Sequence, residues 1–454
     1  MEIGILCVFF LALLLIATEQ GHRMNKAAVA MFAGTVCWLL YIMWGTDFVT
    51  AQHALEYGVF LDGGRSSSWN VKEFVAGTVF LRYTLEAANV ALFLLATASI
   101  VEVLNNNGCF DFIHELLYTK YPKRFLWGVA CVTFLLSANL DNLTTVCLML
   151  AIIRTLVAQE KLRWVFGAVV VVAANCGGAC TVIGDTTSLA LWTTGLVTPT
   201  NYSFSLMASA VVAMLTVIGL IHLRLPHTME LVRALPPYRG DDTILNRWQR
   251  GLMLLVGIGG LWFVPTFHRL THLPAFLGAL CVLSVLWIVD ELCNRHLLRD
   301  MMVRKRAPMA LQYQNIQNML FFIGMTLAVG AVNESGMLPA FCRWTTEHVP
   351  NIYVTGVASG LASAFVGNVP MMLGNMATFA HESGIQEFAP DGTFWPLLSY
   401  CTAVGGSLLA AGTMGGFALW RLEEIRPGWY VRHILPKVSL GFVAGLLVFW
   451  LVNG

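Results

Sequence analysis

Three observations predict an all-α polytopic membrane protein built from two inverted repeats, each with a re-entrant helical hairpin and a broken helix. First, 57% of the 454 residues are hydrophobic and 12% are charged, with a mean hydropathy of +0.69; a soluble domain carries roughly 25% charged residues. Second, long apolar runs recur along the chain, and four of them have polar or glycine-rich centres. Third, the four fall two to each half and in the same order.

The formal net charge of +1 lacks the basic surface that nucleic acid requires, so lipid rather than nucleic acid is the expected partner. The 11 cysteines are scattered. Cys176 and Cys180 have no histidine partner nearby, and no transition-metal site is expected. Ile3–Ala17 is apolar but lacks a basic start and a small-residue cleavage site, so it reads as a retained first span.

A helical span needs about 20 apolar residues, or fewer where protein covers its ends. Ile3–Ala17 and Ala27–Trp44 form the first two, joined by a loop with Arg23 and Lys26. A polar connection, Gly45 to Arg82, leads to a span over Thr84–Leu104. Asn105 to Arg124 reads as an interfacial amphipathic helix ended by Tyr121-Pro122. Phe125–Ile153 is too long for one span and too short for two. Its centre is polar, and Lys120, Lys123 and Arg124 precede it while Arg154, Lys161 and Arg163 follow. Basic flanks on both sides place both ends in the cytoplasm, so the segment is a re-entrant hairpin. Irregular backbone at its tip requires cover from protein or a cavity.

Trp164–Leu196 is apolar but interrupted by Asn175, Gly177, Gly178, Gly184 and Asp185. Glycine weakens a helix by about 1 kcal/mol relative to alanine, and unwinding around Gly177-Gly178 is expected. Tyr202–Leu223 completes the first half. Arg224 to Arg250, with five arginines and Pro236-Pro237, is the linker. The expected domains are therefore residues 1–74, 75–223, 224–250 and 251–454. In the second half, Gly251–Phe267 and Leu273–Val289 are spans. A basic linker follows from Asn294 to Pro308, with Arg295, Arg299, Arg304, Lys305 and Arg306. Next come a span around Met319–Ala331, an amphipathic run Leu338–His348, a hairpin Ile352–Ala380, a broken helix Phe394–Trp420 and a last span Val438–Val452.

The halves superimpose as sequence. Asp141-Asn142 falls on Gly367-Asn368, Gly177-Gly178 on Gly405-Gly406, and Gly184-Asp185 on Gly412-Thr413. Asn142 to Gly178 is 36 positions and Asn368 to Gly406 is 38. The basic loops put the first hairpin's mouth inside and the second's outside, and the acidic loop His381–Thr393 suits the outside. Inverted repeats with discontinuous helices are a transporter architecture, with the site at the midplane.

The interrupted segments suit a hard cation, which takes oxygen ligands. Asp141 and Asp185 supply carboxylates, Asn139, Asn142, Asn175 and Asn368 supply amides, and Thr144, Thr145, Thr186, Thr187, Ser188, Ser407 and Thr413 supply hydroxyls. No lysine or arginine lies in either broken region. A carboxylate held in low dielectric favours its protonated form, so a site that takes either a proton or Na+ exchanges them by competition. Other readings stay open. Asp141 and Asp185 also fit as plain N-caps, and glycine pairs as close helix contacts. Half-helix N-termini could hold an anion. Glu86 and Glu102 read as interfacial, and His53, His222 and His381 as surface residues. Gly367→Asp is expected to be tolerated.

Ser137-Ala-Asn-Leu-Asp-Asn-Leu-Thr-Thr145 resembles the first-hairpin motif of NhaD-type sodium/proton antiporters in the ion transporter superfamily. Asn175-Cys-Gly-Gly178 with Ile183-Gly-Asp-Thr-Thr-Ser188 is similar to that family's broken-helix motif, and Asn368-Val-Pro370 and Gly405-Gly-Ser407 to its second-half motifs. The resemblance runs from about residue 75 to the end. It implies a scaffold domain and an elevator-type transport domain in a homodimer of the bacterial inner membrane. The implied activity is exchange of Na+ or Li+ for H+, with no cofactor. Ion-site roles are implied for Asp141, Asn142, Asn175, Asp185, Thr187, Ser188, Asn368 and Ser407. The family's second hairpin usually has an acid where this chain has Gly367, and its glycine pair is typically preceded by a threonine where this chain has Val404.

Overall fold

The computed structural model describes residues 1–22, 24–45, 49, 52–231, 245–294, 309–382 and 384–454, with Gln20 and residues 309–315 described by backbone alone. Arg23, Pro236, Pro237 and the basic residues of 295–306 lie outside this set. Sixteen main helices are followed in order: α1 (Glu2–Ala17), α2 (Lys26–Trp44), α3 (Ser68–Asn106), α4 (Pro122–Ser137), α5 (Asn142–Leu156), α6 (Glu160–Ala179), α7 (Thr186–Thr193), α8 (Pro199–His222), α9 (Arg247–Thr271), α10 (Ala275–Asn294), α11 (Met309–Glu334), α12 (Ile352–Val366), α13 (Asn368–Phe379), α14 (Phe394–Gly406), α15 (Met414–Glu423) and α16 (Leu435–Asn453). Among the described residues, eight helices are long and apolar enough to cross a membrane. The protein is an integral membrane protein.

Several boundaries differ from expectation. The polar connection 45–82 contains a helix, Ala54–Leu61, and about the first four turns of α3, which runs on from Ser68 because Ser67 caps it. The expected interfacial helix shrinks to Asp111–Leu117. Pro122, read as a terminator, instead starts α4, since a residue in the first turn needs no N–H partner.

The helices form two packing groups. In one, α11 packs on α2 and α3, α1 on α2, and α10 on α3 and α9. Glycines set the closest approach: a Cβ on Gly34 would lie 2.8 Å from the Gly324 carbonyl oxygen, so α2 and α11 touch backbone to backbone. Trp38 Nε1 adds a hydrogen bond to the Leu327 carbonyl, 2.9 Å. In the other group, α6 packs on α4, α5, α8, α14 and α15, α12 on α14, and α8 on α16. Helix α6 is the centre, with 89% of its apolar stretch buried against 28% for α16. The outer helices turn Phe204, Leu440, Leu447 and Leu451 outward, as a lipid-facing surface requires.

Helices α4 and α5 meet at Ala138–Asp141, and their far ends return to one place. The Met229 N–H donates to the Lys120 carbonyl (3.1 Å), and the Ala158 N–H to the Glu230 carbonyl (3.4 Å). The pair is thus a helical hairpin with its mouth closed by residues 229–231. Nearby, buried Glu423 at the end of α15 accepts from Arg154 Nε (2.6 Å) and Arg163 Nε (3.0 Å), which ties α5, α6 and α15 together. Helices α12 and α13 form the second angled pair, joined at Gly367.

The sequence repeat reappears in the contacts. Ser137 Oγ donates to the Ala174 carbonyl (2.7 Å), and Ser363 Oγ to the Thr402 carbonyl (2.9 Å). Gly177 lies against the Phe134 backbone, and Gly405 against the Gly360 backbone. Asp185 caps α7, and Thr413 caps α15, both from extended backbone. The glycine pairs do not unwind their helices, however. They sit in the last turns of α6 and α14, and the breaks follow at 180–185 and 407–413. Their role is close approach: a Cβ on Gly177, Gly178 or Gly405 would run into the hairpins, and one on Gly406 into the break at Gly412-Thr413.

Candidate functional site

The two breaks and two hairpin tips converge on a cavity of about 10 Å³, the space swept by the centre of a water-sized sphere. That is about the minimum for one water molecule. Its lining includes Asp141, Asn142, Asn175, Asp185, Thr186, Asn368 and Thr413, and among the described residues no lysine or arginine.

Local structure places each side chain. Asp141 is the N-cap of α5. Its Oδ2 accepts from the Leu143 N–H (3.1 Å) and its Oδ1 from Thr186 Oγ1 (3.2 Å). Asp185 is the N-cap of α7, in a reciprocal box with Ser188. Its Oδ2 accepts from Thr187 Oγ1 and from Asn368 Nδ2, the latter at 3.2 Å. Both aspartates are therefore caps and cavity walls at once, and the capping and binding readings do not compete. The N-terminal turns of α5 and α7 lend positive potential to both carboxylates.

Amides connect the half-sites. Asn142 Oδ1 accepts from Ser137 Oγ (2.7 Å), and Asn142 Nδ2 donates to Asn175 Oδ1 (3.3 Å). Asn175 Nδ2 then donates to Ser407 Oγ (2.8 Å) and Thr413 Oγ1 (3.3 Å). Buried Asn175 thus links the first hairpin to the second broken helix. Thr187, Ser188 and Ser407 support the cavity from behind it. Thr144 is buried in α5 outside the lining, and Asn139 turns away, its Nδ2 bonded to the Leu135 carbonyl.

The hairpin tips are not alike. Asp141 has φ −52°, whereas Gly367 has φ +105° and ψ 158°, a region that is essentially glycine-only. A Cβ there would meet nothing closer than 3.6 Å, so the obstacle to a side chain is backbone conformation rather than space. The expectation that Gly367→Asp is tolerated is revised accordingly.

The cavity continues toward the surface. Leu143 and Met414 also line a neck of about 20 Å³ with Glu19, Asn25, Lys26, Gln317 and Arg421. The neck shares Glu19, Phe417 and Arg421 with an open vestibule of about 500 Å³. Glu19 pairs with Arg421 at 3.5 Å, and the buried Lys26 ammonium lies 4.8 Å from the Phe417 ring centroid and 5.5 Å from that of Phe321. Sequence reasoning counted Lys26 only as a topology marker. It also missed Asn318, a buried amide on α11 that lines the main cavity. The signal was Gln317-Asn318 directly before an apolar run whose start was read one residue later. His53 is not a surface residue either: its Nε2 lies 2.6 Å from buried Glu334, which also accepts from Tyr83 OH (2.8 Å).

A family model described as "Citrate transporter" (CitMHS) matches residues 11–398. Sodium/proton antiporter 1 of Arabidopsis thaliana is 33% identical over 82% of this chain; the chain spans 63% of that relative's length. Sodium/proton antiporter 2 of the same plant is 31% identical over 82% of this chain and 86% of its own. Na(+)/H(+) antiporter NhaD of Alkalimonas amylolytica is 26% identical over 99% and 91%, respectively. A solved structure of MtrF from Neisseria gonorrhoeae is similar over 83% of each chain, at 13% identity and a TM-score of 0.48. With a family model spanning most of its length and antiporters of the NhaD type among its relatives, the chain belongs to the citrate transporter (CitMHS) family of membrane transporters.

Proposed function

We propose that the protein exchanges Na+ (or Li+) for H+ across the bacterial inner membrane, with the two cations competing for Asp141 and Asp185. The observation that carries this reading is the cavity itself. Two carboxylates from two broken elements face a space of about 10 Å³, ringed by neutral oxygens and, among the described residues, without a fixed positive charge in its lining. A dehydrated small cation finds oxygen ligands there. When it leaves, the carboxylates are left in low dielectric, where protonation is the less costly state. Because neither aspartate can hold both partners at once, alternating access converts competition into exchange. In the ion site, Asp141, Asn142, Asn175, Asp185 and Asn368 form the proposed shell, with Thr186 and Thr413 beside them. Thr187, Ser188 and Ser407 orient its members.

The matched contacts in the two halves support reading them as inverted repeats. The two packing groups support an elevator in which α4–α8 and α12–α16 move against a scaffold of α1–α3 and α9–α11. The vestibule at Glu19 and Arg421, joined to the site through the neck at Lys26, would then be the cytoplasmic entrance, consistent with the expected inside location of the 19–26 loop. A homodimer follows from the resemblance alone, and no cofactor enters the scheme.

Asp185→Asn tests the reading. In everted vesicles it should abolish Na+-driven proton movement, and antiport at the wild-type level would sink the competition mechanism. The family model's description favours a second reading, cation-coupled symport of a carboxylate or oxyanion. The acidic lining and small volume oppose it. Na+-dependent uptake of labelled citrate or a labelled dicarboxylate into proteoliposomes would replace the first reading with the second.

A further inference from the structure

We propose that Asn318 is a cation ligand contributed to the site by α11, from the opposite packing group. This rests on the site reading above but adds a residue that neither the repeat nor the hairpin motifs contain. Asn318 is 4% exposed and lines the same cavity as Asp141 and Asp185. Its Oδ1 is buried and has no hydrogen-bond partner among the described residues. A buried amide oxygen without a donor is disfavoured. Its persistence beside two carboxylates calls for a positive occupant of the space they share. A bound cation supplies the missing partner, and an amide oxygen is a suitable ligand for a hard cation.

Helix α11 packs chiefly on α2 and α3, and reaches the hairpins mainly through α13 and α5. The proposed shell therefore spans both packing groups. Asn318 holds one side of the ion while the caps of α5 and α7 hold the other. A shell divided in this way is complete only when the two groups stand as they do in this structure.

The experiment measures thermal stability of the purified full-length protein in choline buffer, titrated with NaCl, for wild type, Asn318→Ala, Asn318→Ser and Asp185→Asn. Losing one charge-assisted contact should raise the Na+ concentration for half-maximal stabilisation by about 10-fold or more in Asn318→Ala. The Na+-free melting temperature should not fall, because the substitution removes an unpartnered polar atom. Asn318→Ser, which keeps a shorter oxygen, serves if the alanine variant fails to fold and should show a similar rightward shift. An unchanged Na+ titration in both Asn318 variants, with Asp185→Asn unresponsive, overturns the role of Asn318 and leaves the site reading intact. A fall in Na+-free stability without a change in Na+ response identifies a structural asparagine and also overturns it. Stabilisation by Na+ in Asp185→Asn at the wild-type level overturns the site reading and this inference with it.

Discussion

Gly178→Ala is the substitution for which the structure gives the clearest expectation. A methyl at this position would overlap Asn142 Oδ1 and lie 2.7 Å from the Gly184 carbonyl oxygen, where carbon contacts normally begin near ~3.5 Å. Gly184 is pinned in the break after α6, and a Cβ on it would in turn meet the Ser137 carbonyl and Gly178. The backbone has nowhere to go, so Asn142 must move. That breaks the bond from Ser137 Oγ (2.7 Å) and the bond to Asn175 (3.3 Å). Buried polar groups left unpaired cost about 1–3 kcal/mol each, giving about 2–6 kcal/mol for the pair. Alanine returns about 1 kcal/mol of helix propensity. The net expectation is a loss of about 1–5 kcal/mol together with weakened Na+ dependence, because Asn142 and Asn175 line the cavity. Gly374→Ala is the control, since a Cβ on Gly374 meets nothing within 4 Å; it should be neutral or mildly stabilising. The assay is thermal unfolding in detergent, paired with Na+-dependent proton movement in proteoliposomes. A Gly178→Ala protein with the melting temperature and Na+ dependence of wild type would refute the packing argument.

Three further outcomes are expected. Gly367→Asp and Gly367→Ala should both lose about 1–3 kcal/mol, because a side chain is strained at φ +105°; equal melting temperatures for glycine and alanine would show the backbone relaxes. Glu423→Gln leaves Arg154 and Arg163 without their carboxylate. The loss should be about 1–3 kcal/mol, below that of a fully buried pair because Arg154 is half exposed, and a urea or thermal melt measures it. The Glu334 carboxylate beside His53 raises the imidazole's pKa above its ordinary value. Its contribution is therefore full below the unfolded-state value of about 6.5 and disappears as pH rises through the folded value. The stability gap between wild type and His53→Gln should be widest below the unfolded-state value of about 6.5 and narrow as pH rises through the raised folded value; a gap independent of pH would show that His53 acts only by packing.

Much of the fold was legible because a membrane span is long and its interruptions are costly. The hairpin centre 137–145 and the breaks in 164–196 and 394–420 stood out as polar groups in hydrocarbon, and Asp141, Asn142, Asn175, Asp185 and Asn368 do meet at one cavity. What failed to show was anything depending on distance between segments. Gly177-Gly178 carries the same composition whether it unwinds a helix or lets one pass close to Phe134, and only the packing distinguishes them. Lys26, Arg154 and Arg163 were read as charges that set topology. Their partners Phe417 and Glu423 lie hundreds of residues away, and no local pattern announces them. Asn318 escaped for a related reason: a single amide at the edge of an apolar run is ordinary until a cavity is seen beside it.

The repeat also shows why equivalent positions need not do equivalent work. Ser137 and Ser363 make matching bonds, and Asp185 and Thr413 cap matching helices. Yet the charge is confined to one member of each matched pair of caps. Asp141 faces Gly367 and Asp185 faces Thr413 in the alignment of halves. Restoring symmetry would put as many as four carboxylates around a space of about 10 Å³, where like charges repel strongly and one monovalent ion could not balance them. The neutral half instead supplies uncharged hydrogen-bond partners, a donor in Asn368 and acceptors in Ser407 and Thr413. Asn368 Nδ2 bonds Asp185, and Thr413 Oγ1 and Ser407 Oγ fix Asn175. In the proposed ion site, one half of the chain thus supplies the charge and the other holds it in place, so substitutions in the second half should alter affinity through geometry, while those at Asp141 and Asp185 should alter it through charge.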